Sequence, residues 1–324
     1  MPLYVLYLIQ GLIIGGSNFC IVVAILKYSA LRESKEYLML MAQSLADGVY
    51  YLGFVFGGLT RIGLVLTGLH DTIFATPWQC MLMPHNLIWS FGPQLATLML
   101  AVVSMDRLIS VADPLRYISW PISYSKKLIG LTYSYCISVG VLMILATVHT
   151  RQDHPSLPIR CVTETALAAA HELFIAYYTV FPIAAAFVSV VLYLVLYLFY
   201  KRSRVKVGAV GAPRGTNSRL KMQLRRQRRL TVTMAISCLC TLVLFCVPYT
   251  TANLLFWLGR FESLAMVFWI MSGLNPLVNV FLYPLRHREI RKGLKGLITF
   301  KQMPINITMW QGGTPSTVKN HTKL

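Results

Sequence analysis

Two oppositely charged residues, Asp106 and Arg107, stand side by side at the end of a long apolar stretch, in the sequence MDRLISVADPLRY (residues 105–117). An adjacent aspartate and arginine can form an ion pair, which gains strength where water is excluded. At the edge of a membrane, an arginine can also be a simple anchor whose head group reaches the interface while the aspartate offsets its charge. The sequence therefore offers a functional ion pair and an anchor as alternatives.

Few other residues could carry chemistry. Potential metal ligands occur together in one segment: His149, Asp153, His154, Cys161 and His171. Their spacing fits no zinc-ligand pattern. Asp47 is the single acidic residue within the apolar stretches, whereas an intramembrane enzyme would need paired aspartates or a His-Glu zinc motif there. We therefore expect no enzymatic activity, no bound metal and no cofactor.

The composition indicates a membrane protein. Of the 324 residues, 56% are hydrophobic and 13% are charged, whereas about a quarter are charged in a soluble domain. A helix of about 20 apolar residues crosses the hydrocarbon layer of a bilayer. Seven stretches reach this length, at about 3–26, 37–59, 84–105, 128–148, 173–199, 230–257 and 264–285. We therefore predict an all-α membrane protein, a seven-transmembrane helix bundle.

The distribution of basic residues predicts the orientation of the bundle. Of the 30 lysines and arginines, 26 lie in segments 27–36, 106–127, 201–229 and 286–324. Basic loops stay in the cytoplasm, so we expect a multi-pass plasma-membrane protein with an extracellular N-terminus and a cytoplasmic C-terminus. In a soluble protein the basic run 201–229 would suggest nucleic acid, but beside a membrane it favours the inner leaflet and cytosolic partners. We therefore expect no nucleic-acid binding.

Two of the seven cysteines lie outside the interiors of the predicted helices. Cys80 is at the outer end of the third helix and Cys161 is in the loop after the fourth, so the predicted topology places both on the extracellular side. Because this side is oxidising, we predict a disulfide between them, with two free thiols as the alternative.

Polar residues inside the predicted helices share one depth. Asn18, Asp47 and Asn275 lie 9 to 11 residues from charged residues at the cytoplasmic boundary, which corresponds to roughly 13 to 17 Å along a helix. A carboxylate at this depth is costly and usually faces the interior of the bundle with partners. We predict a buried polar network of these three residues with Ser272. Independent hydrogen bonds that only hold helices together are the alternative.

The stretch that begins at Asp106 resembles the end of the third helix and the second inner loop of rhodopsin-like (class A) G-protein-coupled receptors. These receptors have Asp-Arg-Tyr, then a Pro-Leu pair and a tyrosine. The matching residues are Asp106, Arg107, Pro114, Leu115 and Tyr117. Matches on other predicted helices are Asn18 in GGSN, Asp47 in SLAD, Pro182 in FP, Pro248 in FCVPY, and Asn275 with Pro276 in NPLVN. The resemblance covers all seven predicted helices.

The resemblance implies a receptor that activates a heterotrimeric G protein. Asp106 would hold Arg107 in the resting state, and opening of the bundle would release the arginine to an inserted partner helix. Three prolines would kink their helices: Pro182, Pro248 and Pro276. Three positions depart from the family pattern: Leu108 and Asn279 replace tyrosines, and Cys246 replaces a tryptophan. The usual rotamer-based activation step is therefore not expected to apply unchanged.

The resemblance also argues against two ligand classes. Receptors for biogenic amines have an aspartate where Trp89 stands, and retinal pigments need a lysine in the seventh helix, whereas 264–285 contains none. The outer halves of the predicted helices instead offer aromatic residues with few polar groups, which suits a small extracellular ligand. The pocket candidates are His85, Trp89, Tyr178, Tyr249, Asn253 and Trp269. Ordinary core and interface aromatics are the alternative.

Within the class, the low charge of these pocket candidates, the relaxed switch motifs and the stretch MDRLISV resemble nematode serpentine chemosensory receptors of the Srsx type. A small-neuropeptide receptor of the same fold is the alternative, although its outer loops would more often be acidic. A transporter or a seven-span channel is the alternative class. A transporter would show an internal repeat, and a channel of the insect olfactory type would place its N-terminus inside.

The segment LRHREIRKGLKGLITF predicts a short amphipathic C-terminal helix. Its apolar residues recur at roughly helical spacing with lysine and arginine between them: Leu285, Ile290, Leu294, Leu297 and Ile298. A basic amphipathic helix of this kind lies on the inner leaflet of the bilayer. We predict a receptor domain over residues 1–300, with this helix at about 286–298, and a disordered cytoplasmic tail over 301–324.

Overall fold

Helices dominate the computed structural model, which describes residues 1–69, 72–152, 154–209, 240–258, 262–299, 307–311 and 314–318. The main helices over these residues are α1 (Pro2–Lys27), α2 (Lys35–Leu66), α3 (Pro84–Trp89 and Gly92–Ala112), α4 (Ile122–Ala146), α5 (Glu172–Ala209), α6 (Leu242–Cys246 and Val247–Trp257), α7 (Glu262–Ser272 and Leu274–Arg286) and α8 (Arg288–Ile298). Short helices occupy Ser29–Arg32, Pro77–Met81, Pro114–Ser119 and Thr163–Ala170, and a 3-10 turn occupies Val148–Gln152.

Six of the described helices, α1 to α5 and α7, are long and apolar enough to cross a membrane. The apolar part of α6 that the structure describes is shorter, Leu242–Leu255, and residues 230–239 of the predicted sixth span lie outside the described residues. The outer faces of the bundle are apolar: Leu131 on α4 and Leu173 on α5 are each 71% exposed. The predicted all-α membrane fold is confirmed.

Helix α3 is the central helix and packs against α2, α4 and α5. Its side chains Leu95 and Met99 are completely buried in the cluster that joins these four helices. Helix α4 approaches the Phe91 region of α3 closely at Gly140. A larger residue there would place its Cβ atom 2.8 Å from the Cβ atom of Phe91. The site residues on α3 are therefore held in a tightly packed environment.

Two of the three helices with predicted kinks, α6 and α7, are irregular near the proline, whereas α5 is continuous from Glu172 to Ala209. Pro182 lies within α5, Pro248 is the second residue after the π-helical segment Leu242–Cys246, and Pro276 lies in the first turn of the second segment of α7. The break in α7 occurs at Gly273, where a Cβ atom would overlap the side-chain amide of Gln10. That amide donates a hydrogen bond to the carbonyl oxygen of Ile270 at 2.8 Å, which fixes α1 against the break.

The loops at one end of the bundle are joined by strands and a disulfide. The short strands β1 (Phe74–Ala75) and β2 (Leu157–Pro158) pair antiparallel, with Ala75 opposite Leu157. The predicted disulfide between Cys80 and Cys161 is confirmed, with a Cα–Cα distance of 5.2 Å. It fastens the loop between α4 and α5 to the start of α3, and we call this side of the bundle the disulfide end.

At the other end, α8 follows α7 after His287, close to the predicted bounds of the amphipathic helix. Ile290 on α8 is completely buried against Ile21, Ile25 and Tyr28. Within the predicted tail, strands β3 (Ile307–Gln311) and β4 (Thr314–Val318) pair antiparallel, and the other residues of 301–324 lie outside the described residues. The sequence of the two strands suits a hairpin, because threonine, isoleucine and valine flank a Gly-Gly pair.

Candidate functional site

Asp106 and Arg107 form a buried ion pair near the end of α3. Asp106 is completely buried and Arg107 is 5% exposed, and the Nη2–Oδ2 distance is 2.9 Å. The Tyr117 hydroxyl donates to the Asp106 carboxylate and lies 3.1 Å from each of its oxygens. Burial raises the pKa of Tyr117 well above its usual range, so this hydroxyl keeps its proton and remains a donor. The predicted residues Asp106, Arg107 and Tyr117 therefore lie in direct contact.

The start of α2 provides two further partners that the sequence prediction did not include. The Glu36 carboxylate lies 3.8 Å from Nη1 of Arg107. Lys35 Nζ donates to the carbonyl oxygens of Tyr117 and Trp120 at 2.6 and 2.8 Å. Both residues stand immediately before the predicted second span, and charges at the end of a span were the available signal. We call Asp106, Arg107, Tyr117, Glu36 and Lys35 the ion-pair cluster.

The remaining two residues of the matched motif begin the short helix Pro114–Ser119. Pro114 occupies the first helical position, where a missing N–H costs no hydrogen bond, and the Asp113 carboxylate caps the helix by accepting from the Arg116 N–H at 3.2 Å. This helix directs Tyr117 back toward α3. The side chains of Pro114 and Leu115 lie outside the described part of the chain.

The four residues of the predicted polar network are all buried. Their side-chain hydrogen bonds go to other groups: Asn18 to the Ile14 carbonyl, Asp47 to Gln43, Asn275 to Thr241 and Ser272 to the Trp269 carbonyl. One oxygen each of Asn18 and Asp47 is buried without a hydrogen-bond partner in the described structure. A shared network remains a prediction.

A cavity opens at the disulfide end, between α1, α2, α3, α5, α6, α7 and the loop after α4. Its empty space, including the open mouth, is about 650 Å³. The lining residues are Tyr4, Tyr7, Tyr50, Phe54, Arg61, Trp89, Arg160, Val162, Glu164, Tyr178, Tyr249 and Trp269. An aromatic wall with a few polar groups is the usual character of a small-molecule site.

Four of the six pocket candidates line this cavity: Trp89, Tyr178, Tyr249 and Trp269. His85 lies behind Trp89, with ring centroids 5.3 Å apart, and its Nε2 is 3.4 Å from the Cys161 carbonyl oxygen. Asn253 donates to the Tyr249 carbonyl oxygen at 2.8 Å. His85 and Asn253 thus lie beside the cavity and are not among its lining residues.

Arg61 is the main lining residue that the sequence analysis missed. The predicted second span ended at residue 59 and left Arg61 in a loop, whereas α2 continues to Leu66. Asp47, Phe54 and Arg61 are spaced by seven residues, which places them on one face of a helix. An arginine in line with a buried aspartate was the available signal, because intramembrane charges usually mark functional sites.

The charged groups of the cavity lie around the loop that follows α4. Arg61 donates from Nε to the carbonyl oxygen of Arg160 and from Nη2 to that of Cys161, both at 3.3 Å. Cys161 has a φ of 42°, a conformation that is uncommon for a residue other than glycine. Burial raises the pKa of Glu164, whereas the nearby Arg61 charge acts in the opposite direction.

Comparison with known proteins identifies the family. The family model described as serpentine type 7TM GPCR chemoreceptor Srsx matches residues 12–298. The chain belongs to this family. It is therefore a multi-pass membrane receptor of the G-protein-coupled type, as the motifs around Asp106 indicated.

The receptor is also similar to trace amine-associated receptors, which are class A receptors. It is 24% identical to trace amine-associated receptor 8c of Mus musculus over 92% of this chain and 88% of that protein. It is 26% identical to receptor 8b of Rattus norvegicus over 61% of each chain. Receptor 8b of Mus musculus is also 26% identical, over 63% of this chain and 62% of that protein.

Proposed function

We propose that this receptor is a chemosensory receptor that binds a small extracellular ligand in the cavity and activates a heterotrimeric G protein through Arg107. The observation that carries the proposal is the arrangement of α3. Trp89 lines the cavity, while Arg107 forms the buried ion pair 18 residues further along the same helix, at a distance of roughly 27 Å. One helix thus contacts both the ligand site and the ion-pair cluster.

The ion-pair cluster favours the resting state in this proposal. Arg107 is held by Asp106 and faces Glu36, so its guanidinium is withheld from a partner at this end of the bundle. A ligand that binds more tightly to an open bundle shifts the population toward the state in which Arg107 is released. The ligand need only supply the difference in affinity between the two states.

Filling the cavity should weaken the response to ligand. We expect Val162→Trp to raise the half-maximal agonist concentration at least roughly ten-fold, because the indole occupies space that the ligand needs. The assay is G-protein activation in cells that express the receptor and receive a panel of odorants and short peptides. Ala168→Trp is the matched control, since Ala168 is exposed on the adjoining short helix. Equal agonist potency in both variants would contradict the proposed binding site.

We propose that the receptor lies in the plasma membrane, with the disulfide end outside the cell and the ion-pair cluster facing the cytoplasm. An epitope tag at the N-terminus should then bind antibody on intact cells, whereas a C-terminal tag should require permeabilisation. Tags at both termini in one chain provide an internal control for membrane integrity. Staining of the C-terminal tag alone on intact cells would contradict this orientation.

A further inference from the structure

Arg61 is a buried cation that faces the cavity. The residue is 5% exposed, and the Cζ atom of its guanidinium lies 5.4 Å from the centroid of the Trp89 ring and 5.9 Å from the centroids of the Tyr4 and Tyr7 rings. Its hydrogen bonds go to two backbone carbonyls, and no ion pair joins it to a carboxylate in the described part of the chain. Buried charges are usually paired, so a cation in this position invites an anionic partner.

The geometry of Arg61 leaves donors for such a partner. A guanidinium has five N–H groups, and the two carbonyl bonds engage Nε and one N–H of Nη2. The same two bonds orient the side chain against the loop that carries the disulfide. The fixed guanidinium can therefore donate two parallel hydrogen bonds to a carboxylate, a geometry that an amide or a hydroxyl cannot match.

The charge balance of the cavity also favours an anion. Arg61 and Arg160 are both lining residues, and Glu164 is the one acidic side chain among the described residues that line it. Even a fully ionised Glu164 would neutralise only one of these two arginines. An ammonium ligand would meet this positive field, whereas a carboxylate would be attracted by it.

We propose that the ligand is a small monocarboxylic acid whose carboxylate binds Arg61 and whose aromatic or apolar body packs against the aromatic wall. The inference rests on the proposed function, because it assigns a ligand class to the same cavity. The wall presents Tyr7, Tyr50, Phe54, Trp89, Tyr178, Tyr249 and Trp269. Similar receptors are named for trace amines, and this receptor is expected to have the opposite charge preference.

The test uses ligands of similar size and apolar body whose head groups are anionic, neutral or cationic. Phenylacetic acid, phenylacetamide and phenethylamine form one set, and hexanoic acid, hexanamide and hexylamine form another. The thermal stability of the purified full-length receptor in nanodiscs is measured with each compound, and G-protein activation is measured in cells that express the receptor. We expect the acids to stabilise and activate the receptor at concentrations at least roughly ten-fold lower than the amides, with no response to the amines.

Variants of Arg61 connect this preference to the residue. Arg61→Gln should weaken the acid response at least roughly ten-fold and bring it to the level of the amide. Arg61→Lys keeps the charge but loses the bidentate geometry, so it should retain part of the acid response. A retained response also shows that a variant at this position folds. Arg151→Gln is the matched control because Arg151 is exposed on an adjacent turn, and its response should equal that of the unmodified receptor.

Amines that act at lower concentrations than the acids would overturn the inference, and so would an unchanged acid response in Arg61→Gln. A receptor that none of the six compounds stabilises or activates also contradicts it. The proposed function is judged separately, from the ligand-independent signalling of Asp106→Asn. If that variant signals and the acids fail, the ligand class is wrong and the receptor function stands.

Discussion

Asp106→Asn is expected to raise ligand-independent signalling roughly five- to thirty-fold per receptor at the cell surface. Asparagine keeps the size of the side chain, and its amide oxygen can accept the hydrogen bond from the Tyr117 hydroxyl. It removes the negative charge that lies 2.9 Å from the Arg107 guanidinium. The loss shifts the resting equilibrium by about 1 to 2 kcal/mol toward the state with Arg107 released. Glu36, 3.8 Å away, limits the effect because it continues to attract the guanidinium.

Arg107→Ala should have the opposite effect on signalling. Coupling to the G protein is expected to fall at least roughly thirty-fold, because Arg107 would contact the partner directly once it is released. Arg116→Ala is the matched control, since Arg116 is exposed on the short helix after α3. The measurement is second-messenger output divided by surface receptor. If Arg107 is only an anchor, Asp106→Asn and Arg107→Ala lose surface expression equally and keep normal output per receptor.

Loss of the disulfide between Cys80 and Cys161 is expected to remove most of the correctly folded receptor from the cell surface. The disulfide joins residues 81 positions apart, and removal of such a link typically costs about 2 to 5 kcal/mol. The carbonyl of Cys161 also accepts the hydrogen bond from Arg61, so a displaced loop would disturb the cavity. Cys80→Ala, Cys161→Ala and the double variant should therefore show equal losses, measured as surface receptor and thermal stability.

Cys20→Ala is the control for this series, because Cys20 is an exposed free thiol on α1. It should retain normal surface expression and stability. A double variant with unchanged stability would show that the loop is held without the disulfide. Losses in the single variants that exceed the loss in the double variant would instead indicate harm from the unpaired thiol.

The sequence predicted best those features that depend on local spacing. Tyr117 was selected through its match to the family motif, and the short helix that begins at Pro114 brings its hydroxyl to the Asp106 carboxylate, a contact that was not predicted. The disulfide followed from the positions of Cys80 and Cys161 on one side of the predicted topology. The disulfide inference required knowledge of where helices begin and end, and little knowledge of how helices pack.

The contacts between distant helices could not be predicted in this way. Glu36 and Lys35 reach the ion pair because α2 packs against α3, and no periodicity in one segment reports that packing. Arg61 was missed because a hydropathy pattern ends a span at the first charge, whereas backbone hydrogen bonds continue α2 to Leu66. A long arginine side chain can remain within a helix when backbone carbonyls accept its N–H groups.

The π-helical segment of α6 has a consequence for the geometry beneath the cavity. A π turn contains one residue more than an α turn, so side chains on its two sides differ in angular position by about 100° from a continuous α-helix. Phe245 and Cys246 end this segment and pack with Tyr249, which lines the cavity. If the extra residue of the π turn lay one position earlier or later in α6, one side chain would turn out of this cluster and a neighbouring side chain would turn into it. The position of this one residue along α6 therefore determines which side chains pack beneath the cavity.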